Sequence, residues 1–170
     1  YISDPKEIGG LLRMIDHYKG TYQVGTALKI APYVFLRPLE LAGLKWSEVD
    51  FTDKLIRIDS ERMKMGEPHI VPMSSQVIKP LESIKDIETG SIFVFPSPAT
   101  TKRHISPESL RAGLRRMGLS NDEMTTHGFR HMASTRLYEL GFNGDVIERQ
   151  LAHGERNKIK ATYNHAQHLK

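Results

Sequence analysis

Leu55-Ile56-Arg57-Ile58, then a polar run over residues 61–68 that contains Gly66, then Ile70-Val71: this stretch decides the fold class. Branched apolar side chains dominate both flanks, and they suit the pleated, half-buried surface of a strand. Two such runs around a polar segment with a glycine predict a β-hairpin. Val49, Asp50 and Phe51, just before it, supply a third strand. The segments on either side have a helical period instead of a twofold one. The expected class is therefore α+β, mainly α-helical with a small three-stranded antiparallel β-sheet.

Working outward towards the N-terminus, Arg37-Pro38-Leu39-Glu40 places a proline where a short helix begins and disfavours helical geometry at Arg37 itself. That helix is expected to end near Leu44. Before it, a helix from about Thr21 carries Val24, Leu28, Ala31 and Phe35 on one face, with a kink expected at Pro32. The first helix is capped by Ser3 or Asp4, has Pro5 at its first position, and spaces Ile8, Leu11, Leu12, Ile15 and Tyr18 helically.

Towards the C-terminus, Val77, Ile78, Leu81 and Ile84 restore the helical period around Pro80. Residues 92–95 are a short apolar run before a loop rich in Pro, Ser and Thr. Ser106-Pro107-Glu108 opens a helix with Leu110, Leu114 and Met117 that stops at Gly118. Thr126 is the expected cap of the next, with Phe129, Met132, Ala133, Leu137 and Leu140 on its buried face and Gly141 at its end. Helical pieces over residues 145–152 and roughly 157–166 follow.

The 170 residues fit one compact domain, long enough for a continuous core. There is no cysteine, which removes disulfide scaffolds, thiolate nucleophiles and Cys-based zinc sites together. Lys and Arg total 24 against 20 Asp and Glu, a net charge of +4 that favours a polyanionic partner without establishing one. No apolar stretch approaches the roughly 20 residues that span a bilayer, so a soluble protein without a membrane partner is expected. No metal-ligand spacing is visible, and neither metal nor cofactor is expected. Because the chain opens at Tyr1 instead of methionine, it is expected to be a piece of something longer, with at least one N-terminal module before it.

Three short motifs carry chemistry. In Thr126-His127-Gly128-Phe129-Arg130, an imidazole and a guanidinium three residues apart share a face at a helix start, where free N–H groups and the dipole favour an anion. Taken alone, such a pair is ordinarily a solvated surface feature. Arg37 in an apolar run must reach water or meet an anion, and Glu40 three residues on can orient it; alone, this is a helix-start ion pair. Tyr163 in Ala161-Thr162-Tyr163-Asn164-His165 is spaced from Ile159 as a core aromatic would be.

The combination says more than its members. Leu36-Arg37-Pro38-Leu39-Glu40-Leu41, a hairpin with Lys64, His127-Gly128-Phe129-Arg130-His131, Leu151-Ala152-His153-Gly154 and the Tyr163 motif occur in this order. Together they resemble the tyrosine recombinase family, whose pattern is Arg, hairpin Lys, His-x-x-Arg, His or Trp, then Tyr near the C-terminus. The resemblance spans nearly the whole chain. The interval from His153 to Tyr163 is similar to that of integrases of temperate phages and genomic islands. Two positions depart: Leu36 stands where many members have glycine, and Ala152 replaces the glycine common before the third motif's His.

The resemblance implies that residues 1–170 are a catalytic domain lacking the N-terminal core-binding domain and any arm-binding module. It implies a site-specific DNA recombinase that cleaves and rejoins DNA through a 3′-phosphotyrosine, without metal or ATP. Tyr163 would be the nucleophile, Arg37 and Arg130 the cationic donors to the phosphate, Lys64 the general acid, and His127 and His153 proton donors or relays, with the base left open between them. Double-stranded attachment-site DNA is the implied partner, in a tetramer on DNA with the isolated fragment monomeric, with DNA-bending proteins as accessories and the bacterial cytoplasm as compartment. Lys29, Lys102, Arg103, Arg111, Arg115 and Arg116 are candidate backbone contacts, each equally readable as a solvated charge. A type IB topoisomerase shares the tyrosine chemistry, and a recombinase-derived DNA-binding module without catalysis is the alternative from outside enzymes.

Overall fold

The structure is a computed structural model that describes residues 1–152. Its centre is a helix that the surrounding elements cover. Helix α1 (Pro5–Asp16) starts where Asp4 accepts hydrogen bonds from the Lys6 and Glu7 N–H groups, and it buries Leu11 and Ile15. Helix α2 (Tyr22–Val34), capped by Thr21, is buried along nearly all of its length, as expected of a helix apolar on every side. It packs against α1 and against α4 (Ser75–Lys85), α5 (Pro107–Arg116) and α6 (Gly128–Glu139). A Cβ at Gly113 would stand 2.8 Å from Val24 Cγ1 and 3.1 Å from Leu28 Cδ1, so glycine is what lets α5 lie this close to α2.

Helix α3 (Pro38–Ala42) leads through a 3-10 turn (Trp46–Glu48) into the sheet. Strands β1 (Val49–Asp50), β2 (Leu55–Ile58) and β3 (His69–Pro72) lie in that order, each pair antiparallel. The register places Ile56 opposite Val71 and Ile58 opposite His69. Those four side chains are buried, while Arg57 and Pro72 are exposed, which is the twofold alternation of a sheet with one face on a core. The hairpin connection is longer than a tight turn and holds a 3-10 turn of its own (Ser60–Arg62). Helix α7 (Gly144–Gln150), capped by Asn143, packs against α6.

The structure adds detail to several expectations and corrects some. Helix α2 runs through Pro32 and stops two residues later, where Phe35 turns left-handed at φ 57°. Helix α4 likewise continues through Pro80 to Lys85. The residue that flanks α6 is His127, without a side-chain cap, and not Thr126: the chain makes one more turn before the helix, in which Thr125 Oγ1 accepts the Gly128 N–H at 3.0 Å. Leu140 is 61% exposed instead of buried, because it follows the last turn of α6 and the chain leaves the core at Gly141 (φ 84°). Residues 92–95 form no strand in a sheet but join Leu44 and Trp46 by hydrogen bonds, burying Val94 and Phe95. The helix expected over residues 157–166 lies outside the described residues. Among the described residues no helix is long and apolar enough to cross a membrane.

Candidate active site

The site begins with one buried carboxylate. Pro38 holds Arg37 extended at the start of α3 (φ −67°, ψ 151°), and Glu40 in the first turn reaches back to it. Glu40, 3% exposed, accepts the Arg37 backbone N–H at 3.0 Å and the Arg37 Nη1 at 3.3 Å. The backbone N–H of Lys64, from the hairpin connection, approaches the same carboxylate at 3.5 Å. A buried carboxylate is tolerable when N–H groups surround it in this way, and here they come from two motif residues.

Arg62 anchors the lysine's loop a second time. Its Nε and Nη2 each lie 2.8 Å from the Glu48 carboxylate, and Nη2 also donates to the Glu40 carbonyl at 3.2 Å. Met63 is buried and Lys64 exposed, so the lysine stands on a fixed base with its side chain towards solvent.

Arg130 stands in the first turn of α6 and is 4% exposed. Its Nη1 donates to the Phe35 carbonyl and its Nη2 to the Leu151 carbonyl at 2.6 Å. The left-handed turn at Phe35 aims that carbonyl, and so α6, the end of α2 and the end of α7 meet at one guanidinium. Burial, then the neighbouring Arg37, push the Arg130 pKa down to about 10, which still leaves it charged at neutral pH.

His127, just before α6, has its pKa lowered by partial burial first and then by His131, Arg130, Arg37 and Lys64. Four cationic or protonatable groups therefore bear on one imidazole, and together they form a place where an anion would relieve mutual repulsion. His131 meets the His127 ring edge-on at 5.0 Å and is itself stacked on Tyr1 at 5.3 Å, while the Tyr1 hydroxyl pairs with Thr135 Oγ1 at 2.9 Å.

Residues 4–170 match the model of the phage integrase family. The chain belongs to that family. Among curated relatives it is similar to Prophage integrase IntA of Escherichia coli K12 (38% identical over 133 residues, 78% of this chain and 32% of that protein). The integrase of Enterobacteria phage P4 is 36% identical over 167 residues, 89% of this chain and 38% of that protein. The chain thus spans about a third of the length of these relatives. Its fold matches the crystal structure of XerA recombinase at a TM-score of 0.72 and 20% identity, over 100% of this chain and 65% of that one. It also matches a lambda integrase dimer bound to a COC′ core site at 0.64 and 20% identity, over 94% of this chain and 56% of that one.

In this integrase-family chain, Arg37, Glu40, Lys64, His127 and Arg130, separated by up to 93 positions, gather at one corner. His153 and Tyr163 lie outside the described residues. Of the candidate DNA contacts, Lys102, Arg103, Arg111 and Arg116 are exposed, with Arg111 paired to Glu108 at 3.5 Å. Arg115 is placed differently: its Nη1 donates to the Leu119 carbonyl and its Nη2 to the Met124 carbonyl at 2.7 Å, so it closes a loop. Lys29 is half-buried in a groove with Asp16, Tyr33 and Lys79, between α1, α2 and α4. Among the described residues no set of three His, Cys, Asp or Glu side chains comes together as a metal site.

Two residues around the site were not singled out from sequence. Arg62 offers no local signal, since its partner Glu48 is 14 positions away. His69 had one: on β3 it stands two residues before the apolar Val71, which places both on the same, buried face.

Proposed function

We propose that this chain is the strand-transferring domain of a site-specific DNA recombinase, an integrase, spanning residues 1–170 of a longer protein whose N-terminal modules choose the DNA site. The observation that carries the reading is the corner where Arg37, Arg130, His127 and Lys64 surround one place with a buried glutamate behind them. A phosphodiester under attack gathers negative charge on its non-bridging oxygens, and fixed guanidinium donors are what stabilise it.

In this reading Tyr163 Oη attacks the phosphorus, and its proton passes to a histidine, His127 or His153. The new bond joins the tyrosine oxygen to the 3′-phosphate as the bond to the 5′ oxygen breaks. Lys64, as the ammonium, gives the leaving oxygen its proton and is left as the amine, and an exposed ammonium on an anchored loop suits that task. A 5′-hydroxyl from a partner duplex reverses the step and reseals the strand without ATP. Double-stranded attachment-site DNA is the substrate, a tetramer on DNA the working assembly, DNA-bending proteins its accessories and the bacterial cytoplasm its compartment. Lys102, Arg103, Arg111 and Arg116 provide exposed charge for the DNA backbone.

The test is covalent capture. The chain is incubated with a pool of nicked duplexes of varied sequence, from which the 5′-hydroxyl fragment diffuses away, and adducts are resolved under denaturing conditions. Tyr163→Phe is expected to abolish the adduct while leaving the fold intact; an adduct that survives places the nucleophile elsewhere. If the wild type forms none and sulfate soaked into crystals does not bind at the Arg37–Arg130 corner, the reading fails.

A further inference from the structure

The corner described above leaves one buried titratable side chain without a role. His69 lies on the core face of β3 opposite Ile58, 7% exposed, and its Nε2 has no hydrogen-bond partner among the described residues. The Gln150 carbonyl lies close enough to favour a proton on the ring, and the charges that reach it are Glu40, Arg149 and Arg130. Gln150 and Leu151 are consecutive, and Arg130 already holds the Leu151 carbonyl. Beside the ring, a cavity of about 20 Å³ is walled by Met63 and Glu67 of the lysine's loop and by Arg149 and Ala152 at the end of α7. His69 therefore sits where the loop that carries Lys64 meets the turn that precedes His153.

For filling space alone, phenylalanine would serve at this position and would leave no polar atom unmatched. A neutral imidazole instead offers one N–H. We propose that His69 is a positioning residue: from β3 it holds the Gln150 carbonyl and, with Arg130 on the next carbonyl, fixes the turn over residues 150–152 that leads into His153. Burial pushes its pKa down to about 4, so the ring is neutral under ordinary conditions and the contact is that of a neutral donor. Its consequence for catalysis rests on the strand-transfer reading above; the contact itself does not.

The experiment compares His69→Phe and His69→Gln with wild type in two measurements. Amide hydrogen exchange reads the turn directly, through the Leu151 N–H, bonded to the Ile147 carbonyl, and the Ala152 N–H, bonded to that of Arg149. In H69F both are expected to exchange roughly tenfold faster although the protein melts no lower, and H69Q, which retains a donor, recovers most of the protection. Single-turnover adduct formation is expected to fall roughly tenfold to a hundredfold in H69F with DNA affinity unchanged, because a displaced group costs rate before it costs binding. Unaltered exchange at Leu151 and Ala152 in folded H69F overturns the proposal. Should H69F not fold, H69Q is compared with His69→Met, and equal exchange in those two overturns it equally. A wild type that forms no adduct and binds no sulfate at the Arg37–Arg130 corner overturns the strand-transfer reading alone, since the exchange comparison needs no DNA.

Discussion

Arg115 and Arg130 each place two guanidinium nitrogens on main-chain carbonyls, and they do different things. Arg115 reaches Leu119 and Met124, four and nine positions along, and closes the loop that follows its own helix. Arg130 reaches Phe35 and Leu151, 95 and 21 positions away, and joins three helices next to Arg37. The chemistry of each contact is the same planar fork on carbonyl oxygen. What separates a loop staple from the centre of a site is which distant parts are joined and which charges lie alongside. A run of basic residues on one helix, as in Arg111, Arg115 and Arg116, therefore does not share one role.

The sharpest way to break this comparison is to delete each fork. Arg130→Ala is expected to lower the single-turnover adduct rate by about 10²–10³, the usual effect of removing a donor to transition-state charge. Arg115→Ala is expected to leave the rate per folded molecule unchanged and to lower the urea midpoint, by about 2–3 kcal/mol in stability for hydrogen bonds from a charged group. A folded Arg115→Ala protein that forms no adduct would place Arg115 in the site and dissolve the distinction.

A second contrast lies between His69, buried in the sheet, and His127, at the edge of the corner. Burial holds the His69 pKa at about 4, whereas the unfolded chain titrates near 6.5. Below pH 6.5 the unfolded state takes up a proton that the folded state refuses until about pH 4. Stability is therefore unaffected above pH 6.5 and falls as the pH drops from 6.5 to 4, by on the order of 3 kcal/mol at most. Urea denaturation at pH 7, 5.5 and 4.5 should show this slope in wild type and a flatter one in H69F. The slope that persists in H69F includes His127, whose pKa is also lowered.

Glu40 joins the two motifs that precede α6, and Glu40→Gln tests whether its charge or only its shape matters. Glutamine can still accept the Arg37 N–H but presents no carboxylate to Arg37 Nη1 and the Lys64 N–H. About a tenfold loss in adduct rate with the fold intact is expected, the size of one charged hydrogen bond. No loss would mean that Arg37 is placed by Pro38 and packing alone.

The helix starts at Asp4, Thr21 and Ser106 were legible because each cap is a local contact within a few residues. The hairpin was legible from two β-favouring runs around a polar stretch with Gly66, and the motif set from its order along the chain. Thr125 and Thr126 were not separable, since either hydroxyl suits a helix start and the extra turn before α6 is decided by packing. Leu140 kept the helical period but, just past the last turn, stands exposed where the chain leaves the core. The assembly of the corner was legible only as a resemblance: neither the Phe35 carbonyl that Arg130 holds nor the Glu48 that holds Arg62 is near its partner in sequence. Non-local hydrogen bonds leave no periodic trace, and most of this site is made of them.

The smallest expected effect concerns Ala152, which stands where the family resemblance places glycine. Its φ of 56° puts an L-residue in the left-handed region at the turn after α7, where a Cβ crowds the following carbonyl. Ala152→Gly relieves that strain but frees the unfolded chain and removes a methyl group that packs against the core. The net gain should be about 0.5–1 kcal/mol, a rise of roughly 2–3 °C in Tm for a domain of this size. Because the same turn carries the carbonyls held by His69 and Arg130, a stabler fold need not mean faster adduct formation. If Ala152→Gly raises Tm but slows adduct formation, the left-handed alanine is stiffening the approach to His153. If Tm falls, the packing of its methyl group outweighs the backbone strain and the turn is held mainly from the core side.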